Sequence, residues 1–152
     1  MAHRPTPLDN VSVISIELAS ALRMAGVRWQ PRSGDRFAIL ALEPAGDVFT
    51  ISEMTVEAHE FPGGTVLGFN GTTEWALDSV SKDDALWLPR EDQLRAMLGG
   101  TFCSLVATED SYEVTTRAPS GRSATFAAPS ADDAYARALL ALVGSALDPT
   151  PA

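Results

Sequence analysis

Apolar residues recur along this chain in two rhythms. Ile14, Leu18, Ala21, Leu22 and Ala25 fall at the spacing of one helical face, and Gly26 stands where a left-handed C-cap belongs, so a helix is predicted over about 14–25. Ala134, Tyr135, Ala138, Leu139, Leu142 and Val143 trace another such stripe, closed by Gly144. Ser130, with Asp133 three residues on, resembles a capping box at its start, with Asp in place of Glu. Between these, Pro89 suits the first position of a shorter helix that has Glu91 and Asp92 in its first turn. Leu94, Met97 and Leu98 form its apolar face and Gly99-Gly100 ends it.

The second rhythm is that of strands. Phe37 to Leu42 and Leu86-Trp87-Leu88 are short apolar runs. Phe102 to Ala107, Tyr112 to Arg117 and Ser123 to Ala127 make a meander, separated by Glu109-Asp110-Ser111 and Pro119-Ser120-Gly121. The stretch from Val48 to Phe61 changes phase: Phe49 and Ile51 form one set, Met54, Val56 and Ala58 the opposite one. A one-residue slip turns every side chain to the other face, so a turn or bulge is expected near Ser52-Glu53. Pro62-Gly63-Gly64 makes a turn, and Asn70-Gly71 between Thr65–Phe69 and Thr72–Leu77 signals a hairpin. A competing reading caps a short helix at Thr72 or Thr73 and carries it through Val80.

Strands and helices do not alternate steadily, which excludes a parallel sheet and predicts an α+β fold: antiparallel sheet or sheets with three helices, the last one long. The spacing leaves open whether the strand groups form one sheet or two. Residues 1–10, proline-rich and polar, read as a disordered tail, 11–147 as a single domain, and 148–152 as a second tail.

Composition narrows the function. With 152 residues, 45% hydrophobic and 20% charged, the chain is of globular type. Its longest apolar run, Ala134 to Val143, is broken by Arg137 and is far shorter than the roughly 20 residues of a bilayer span. Met1 to Pro7 holds two prolines and no apolar core of a secretory leader, so a cytoplasmic location is expected, without membrane association. The net charge of -9 is spread along the sequence and repels phosphate backbones, so nucleic acid is not an expected partner. Cys103, the lone cysteine, is expected as a small buried hydrophobe.

Several chemistries are excluded by spacing. Pro62-Gly63-Gly64-Thr65 lacks the Lys-Ser/Thr of a phosphate loop, no dinucleotide fingerprint or Gly-x-Ser-x-Gly elbow occurs, and two histidines with one cysteine are too few for a Cys/His zinc site. No cofactor is expected. Glu53, Glu57 and His59 alternate along an extended stretch, where a histidine beside carboxylates can act as a general base or hold a divalent metal. The same alternation describes a solvated sheet face with Met54, Val56 and Ala58 inward. Glu74, Asp78, Asp83 and Asp84 surround Trp75 and Trp87, a composition seen in carbohydrate sites and also in an ordinary turn beside core tryptophans. The alternative acidic site is therefore Glu57, His59, Asp78, Asp83 and Asp84. Arg28, Arg32 and Arg36, with Arg23 upstream, make the one locally basic patch, and Trp29 lies among them. Arginine with tryptophan is the pairing enriched at binding hot spots, which makes Arg28, Trp29, Arg32 and Arg36 the leading binding candidates; pairing with the surplus acids is the plainer account.

The stretch Gly68 to Val80, followed by Leu86-Trp87-Leu88-Pro89-Arg90-Glu91-Asp92-Gln93-Leu94 and the alanine-rich helix from Asp132, resembles a family of small uncharacterised bacterial proteins, some labelled pilus assembly proteins. More distant sequences sharing Leu-Pro-x-x-x-x-Leu occur among phage or mobile-element proteins. The resemblance implies a family and no residue roles; the ATPase behind the pilus label is built on a phosphate loop that this chain lacks. The expectation from the sequence is a non-enzymatic cytoplasmic accessory module that binds another protein or a second copy of itself. A hydrolase or metal-assisted enzyme using the acidic site, and a phage-derived structural or immunity component, are the alternatives.

Overall fold

The computed structural model describes residues 12–40, 48–51, 55–61, 64–70, 79–81 and 84–147; for residues 55–81 only backbone pairing is described. The tails expected at 1–10 and 148–152 lie outside these residues. The helices are α1 (Ile16–Met24), α2 (Glu91–Leu98) and α3 (Ala131–Leu147). The strands are β1 (Arg36–Ile39), β2 (Val48–Thr50), β3 (Thr55–Phe61), β4 (Gly64–Asn70), β5 (Ser79–Ser81), β6 (Ala85–Leu88), β7 (Phe102–Ala107), β8 (Tyr112–Arg117) and β9 (Ser123–Ala128). They form three antiparallel three-stranded sheets, β2-β1-β6, β3-β4-β5 and β7-β8-β9, so the fold is α+β with a long C-terminal helix. The chain divides into two compact units, Met1–Leu18 with Glu91–Ala152, and Ala19–Arg90. No helix among the described residues is long and apolar enough to cross a membrane.

In the first unit α3 packs on α2, β8 and β9. Ser130 caps it, its Oγ accepting the Asp133 N–H at 3.2 Å. The capping box is only half built, because Asp133 turns its Oδ1 to the N–H of Ser15 (2.8 Å). Ser15 in turn receives the Leu18 N–H on its Oγ at 3.4 Å, so α1 begins at Ile16 and not at Ile14. Ala134, Tyr135, Ala138 and Leu139 of α3 are buried with Leu94, Leu98 and Val114, as the helical stripes predict. Gly144 does not end α3, which runs to Leu147: its φ is not positive, and a helix tolerates an interior glycine at a cost of about 1 kcal/mol. Cys103 corrects the sequence expectation. The β7–β8 register shifts between Phe102 and Ser104, which leaves Cys103 as the extra residue of a bulge with its thiol exposed.

In the second unit β1 is buried along its whole length, with Phe37 opposite both Phe49 and Trp87. The strand predicted to reach Leu42 stops at Ile39; Leu40 is exposed in a turn and donates its N–H to Asp84 O at 2.9 Å. The phase change after Ile51 marks a change of sheet: Val48–Thr50 pairs with β1, whereas Thr55–Phe61 pairs with β4. Ser52 to Met54 lie outside the described residues. β3 and β4 pair in the register Phe61↔Gly64, so Gly64, expected in a turn, opens β4, and Pro62 and Gly63 lie outside the described residues. Residues 71–78, where the second strand of the hairpin or most of the competing helix is expected, lie outside the described residues; that helix does not carry through Val80, because Ser79–Ser81 is strand β5, which pairs with β4 with Gly68 opposite Ser79.

Candidate functional site

α1 ends in a tight C-cap. Val27 N–H donates to Leu22 O and Gly26 N–H to Arg23 O, both at 3.0 Å, the paired bonds of a Schellman turn, and Gly26 takes φ 103°, which favours glycine. This turn redirects the chain so that Arg28 stays exposed while the next residue, Trp29, enters the core.

Trp29 is 6% exposed and packs with Phe37, Ile39, Ile51 and Ala85. Its ring centroid lies 5.7 Å from that of Phe37, which stacks on Phe49 at 5.6 Å. The indole N–H donates to Asp35 Oδ2 at 2.9 Å. Asp35, 2% exposed, also accepts the Arg32 backbone N–H on Oδ2 (3.0 Å) and lies 3.5 Å from an Arg90 nitrogen, which donates to Gly34 O at 2.6 Å. A buried carboxylate is tolerated when hydrogen bonds and a cation replace its water. The loop is tied at its other side by Gly34 N–H to Ile51 O and Ile51 N–H to Asp35 O.

Beside this core a cavity of about 380 Å³ opens between the C-terminal turn of α1 and β6. Leu22, Val27, Trp29 and Trp87 contribute apolar wall, and Arg23 and Arg28 contribute charge. Arg23 donates to Ala85 O at 3.5 Å. Trp87 is half-buried, with its Nε1 buried and lacking a hydrogen-bond partner among the described residues.

The predicted basic set is therefore divided. Arg28 and Arg32 are exposed; Trp29 and Arg36 are buried, so the tryptophan forms cavity wall and core and is not a projecting anchor. Of the acidic set, Glu57 and His59 stand on β3 opposite Gly68 and Val66, and Asp84 is exposed with its carbonyl bonded to Leu40. Asp78 and Asp83, like Glu53, Glu74 and Trp75, lie outside the described residues. Among the described residues no group of three or more His, Cys, Asp or Glu side chains could hold a metal ion. Asp35 and Arg90 are the functional-site neighbours that sequence reasoning missed. The available signal was an acid two residues ahead of the apolar run that starts at Phe37, and six residues after a tryptophan whose N–H needs an acceptor when buried.

In the other unit a shallow depression of about 710 Å³ is lined by Glu91, Asp92, Arg95, Phe102 and Tyr135. The Arg95 guanidinium lies 4.4 Å over the Phe102 ring, and the Phe102 and Tyr135 rings are 5.7 Å apart. Burial pushes the Tyr135 hydroxyl above its ordinary pKa; Arg95 opposes this and Glu91 adds to it.

Comparison with family models, with curated proteins and with solved structures found no match to the chain.

Proposed function

We propose that the chain is a non-catalytic binding module whose contact site is the cavity between α1 and β6. Its partner is another protein, engaged through an acidic segment that places one apolar side chain in the cavity. The observation that carries this reading is the placement of Arg23 and Arg28 on an otherwise apolar cavity, on a chain whose net charge is -9. Among the described residues Arg28 makes no ion pair, so its charge is available to a ligand. Arginine beside a desolvated aromatic wall is the pattern of an interface hot spot.

The test compares the tagged wild-type chain with Arg28→Glu. Wild type captures a stoichiometric protein from the source organism's lysate, and acidic peptides carrying an aromatic or aliphatic residue perturb its tryptophan fluorescence. Arg28→Glu loses both while its melting midpoint stays the same, since Arg28 is exposed and outside the core. Capture and fluorescence response unaffected by the charge reversal would sink the assignment.

A further inference from the structure

The sheet β7-β8-β9 has two outer edges, and they differ. Hydrogen-bonded and non-hydrogen-bonded pairs alternate along an antiparallel ladder. Thr108 N–H donates to Ser111 O at the first turn and Ala118 N–H to Arg122 O at the second, both at 2.8 Å, which sets the alternation. Ser104 and Val106 bond to β8, so the backbone N–H and C=O of Leu105 and Ala107 point away from it. On β9 the outward set includes Ala127, whose carbonyl accepts from the Arg137 guanidinium at 2.6 Å. A charged side chain held on an edge strand guards it against strand addition.

β7 carries no such guard. Its sequence, Phe-Cys-Ser-Leu-Val-Ala, contains no charge and no proline. Leu105 and Val106 are 36% and 49% exposed, and Cys103 and Ala107 are exposed too. Among the described residues, no hydrogen bond reaches the outward backbone of Leu105 or Ala107. We propose that this edge pairs with β7 of a second copy of the chain, antiparallel about a two-fold axis at Leu105, joining the two sheets into one of six strands.

Charge favours a second copy as the occupant. Antiparallel pairing runs the exposed acidic turn Glu109-Asp110, which follows β7, toward the Phe102 end of the partner strand. There Arg95 lies over the Phe102 ring, with Glu91 and Asp92 lining the same depression, so the match is between the partner's acidic turn and this one arginine, and the two-fold axis repeats it at the other end. At the centre the strand is uncharged, so two chains of net charge -9 meet where neither presents an acid. Leu105 opposite Leu105 covers two side chains that the separate edge leaves in water.

Sedimentation equilibrium over a broad concentration range, on the full chain and on Leu105→Lys and Ala107→Pro, tests this. Wild type passes from monomer to dimer as concentration rises. Each variant raises the dissociation constant at least about tenfold, because paired lysines on the axis repel and proline removes an edge donor that β8 does not use. Should either variant fold poorly, Leu105→Cys with Cys103→Ser gives an independent reading. Directly opposed residues of a hydrogen-bonded pair have Cα atoms about 5.5 Å apart, within disulfide reach, so mild oxidation yields a covalent dimer. A chain that stays monomeric at every concentration overturns the proposal, including one that takes a strand from a different protein there. So does a dimer indifferent to both edge variants, or a failure of the cysteine variant to cross-link.

Discussion

The indole nitrogen of Trp29 lies 2.9 Å from Oδ2 of Asp35, which puts a neutral donor and a carboxylate together inside the core of the Ala19–Arg90 unit. The bond joins the segment leaving α1 to the start of β1. Trp29 is thereby held as a wall of the adjacent cavity, and Arg28, its neighbour in the chain, is left at the surface.

Trp29→Phe is expected to cost about 2–3 kcal/mol, since it removes a hydrogen bond to a buried charged acceptor. Trp87→Phe breaks no hydrogen bond among the described residues, where the Trp87 Nε1 has no partner, and is expected to cost less than about 1.5 kcal/mol. Urea titrations of the two variants give the comparison. Equal costs would mean that ring volume, and not the bond to Asp35, explains the burial of Trp29.

The carboxylate and its cation are unequal partners. Asp35→Ala strips acceptors from two N–H groups and is expected to destabilise by about 3 kcal/mol. Arg90→Ala removes an ion pair whose arginine side is 32% exposed, and about 1 kcal/mol is expected. Reversal of that order in denaturant titrations would show that Arg90 holds the loop chiefly through Gly34.

Two glycines with open space around them should respond in opposite directions to alanine. Gly26, at φ 103°, loses about 1–2 kcal/mol because an L side chain resists that backbone conformation. Gly144 lies inside α3 with nothing within 4 Å of an added Cβ, and Gly144→Ala should gain up to about 1 kcal/mol. Thermal melts of both variants check this; a stabilised Gly26→Ala would rule out the left-handed cap.

The raised pKa of Tyr135 implies a sensitivity to alkali. Ionisation is held back in the folded chain by burial, so the contribution to stability is fully present below the ordinary tyrosine value of about 10 and is lost as pH rises through the folded value. Tyr135→Phe should therefore flatten the alkaline limb of a stability–pH curve measured by urea titration. An unchanged limb would place the loss elsewhere.

The helices and the meander were readable where local punctuation agrees with period: Gly26 after α1, Pro89 and Gly99 around α2, Ser130 before α3, Glu109-Asp110 and Gly121 between strands; Gly144, inside α3, was a false stop. The sites were harder to read. Trp29 stands among arginines that suggest a surface, and its burial depends on Asp35, whose cation comes from Arg90, far along the chain. Cys103 is apolar in sequence context, but its exposure follows from a bulge that exists only relative to β8. The acid at position 133 signals a cap and is diverted to Ser15 by a contact that no local pattern encodes. Periodicity reports which face of an element is apolar; it is silent on which distant group satisfies a buried donor or charge.

The Ser15–Asp133 bond spans 118 positions. During synthesis the segment that starts α1 leaves the ribosome long before its acceptor exists, so the two cannot meet until α3 has been made. Residues 19–90 are complete by then and can fold first, with the early end of the chain waiting for the late one. Truncation ahead of Asp133 would therefore remove the acceptor of the Ser15 N–H, 118 positions away.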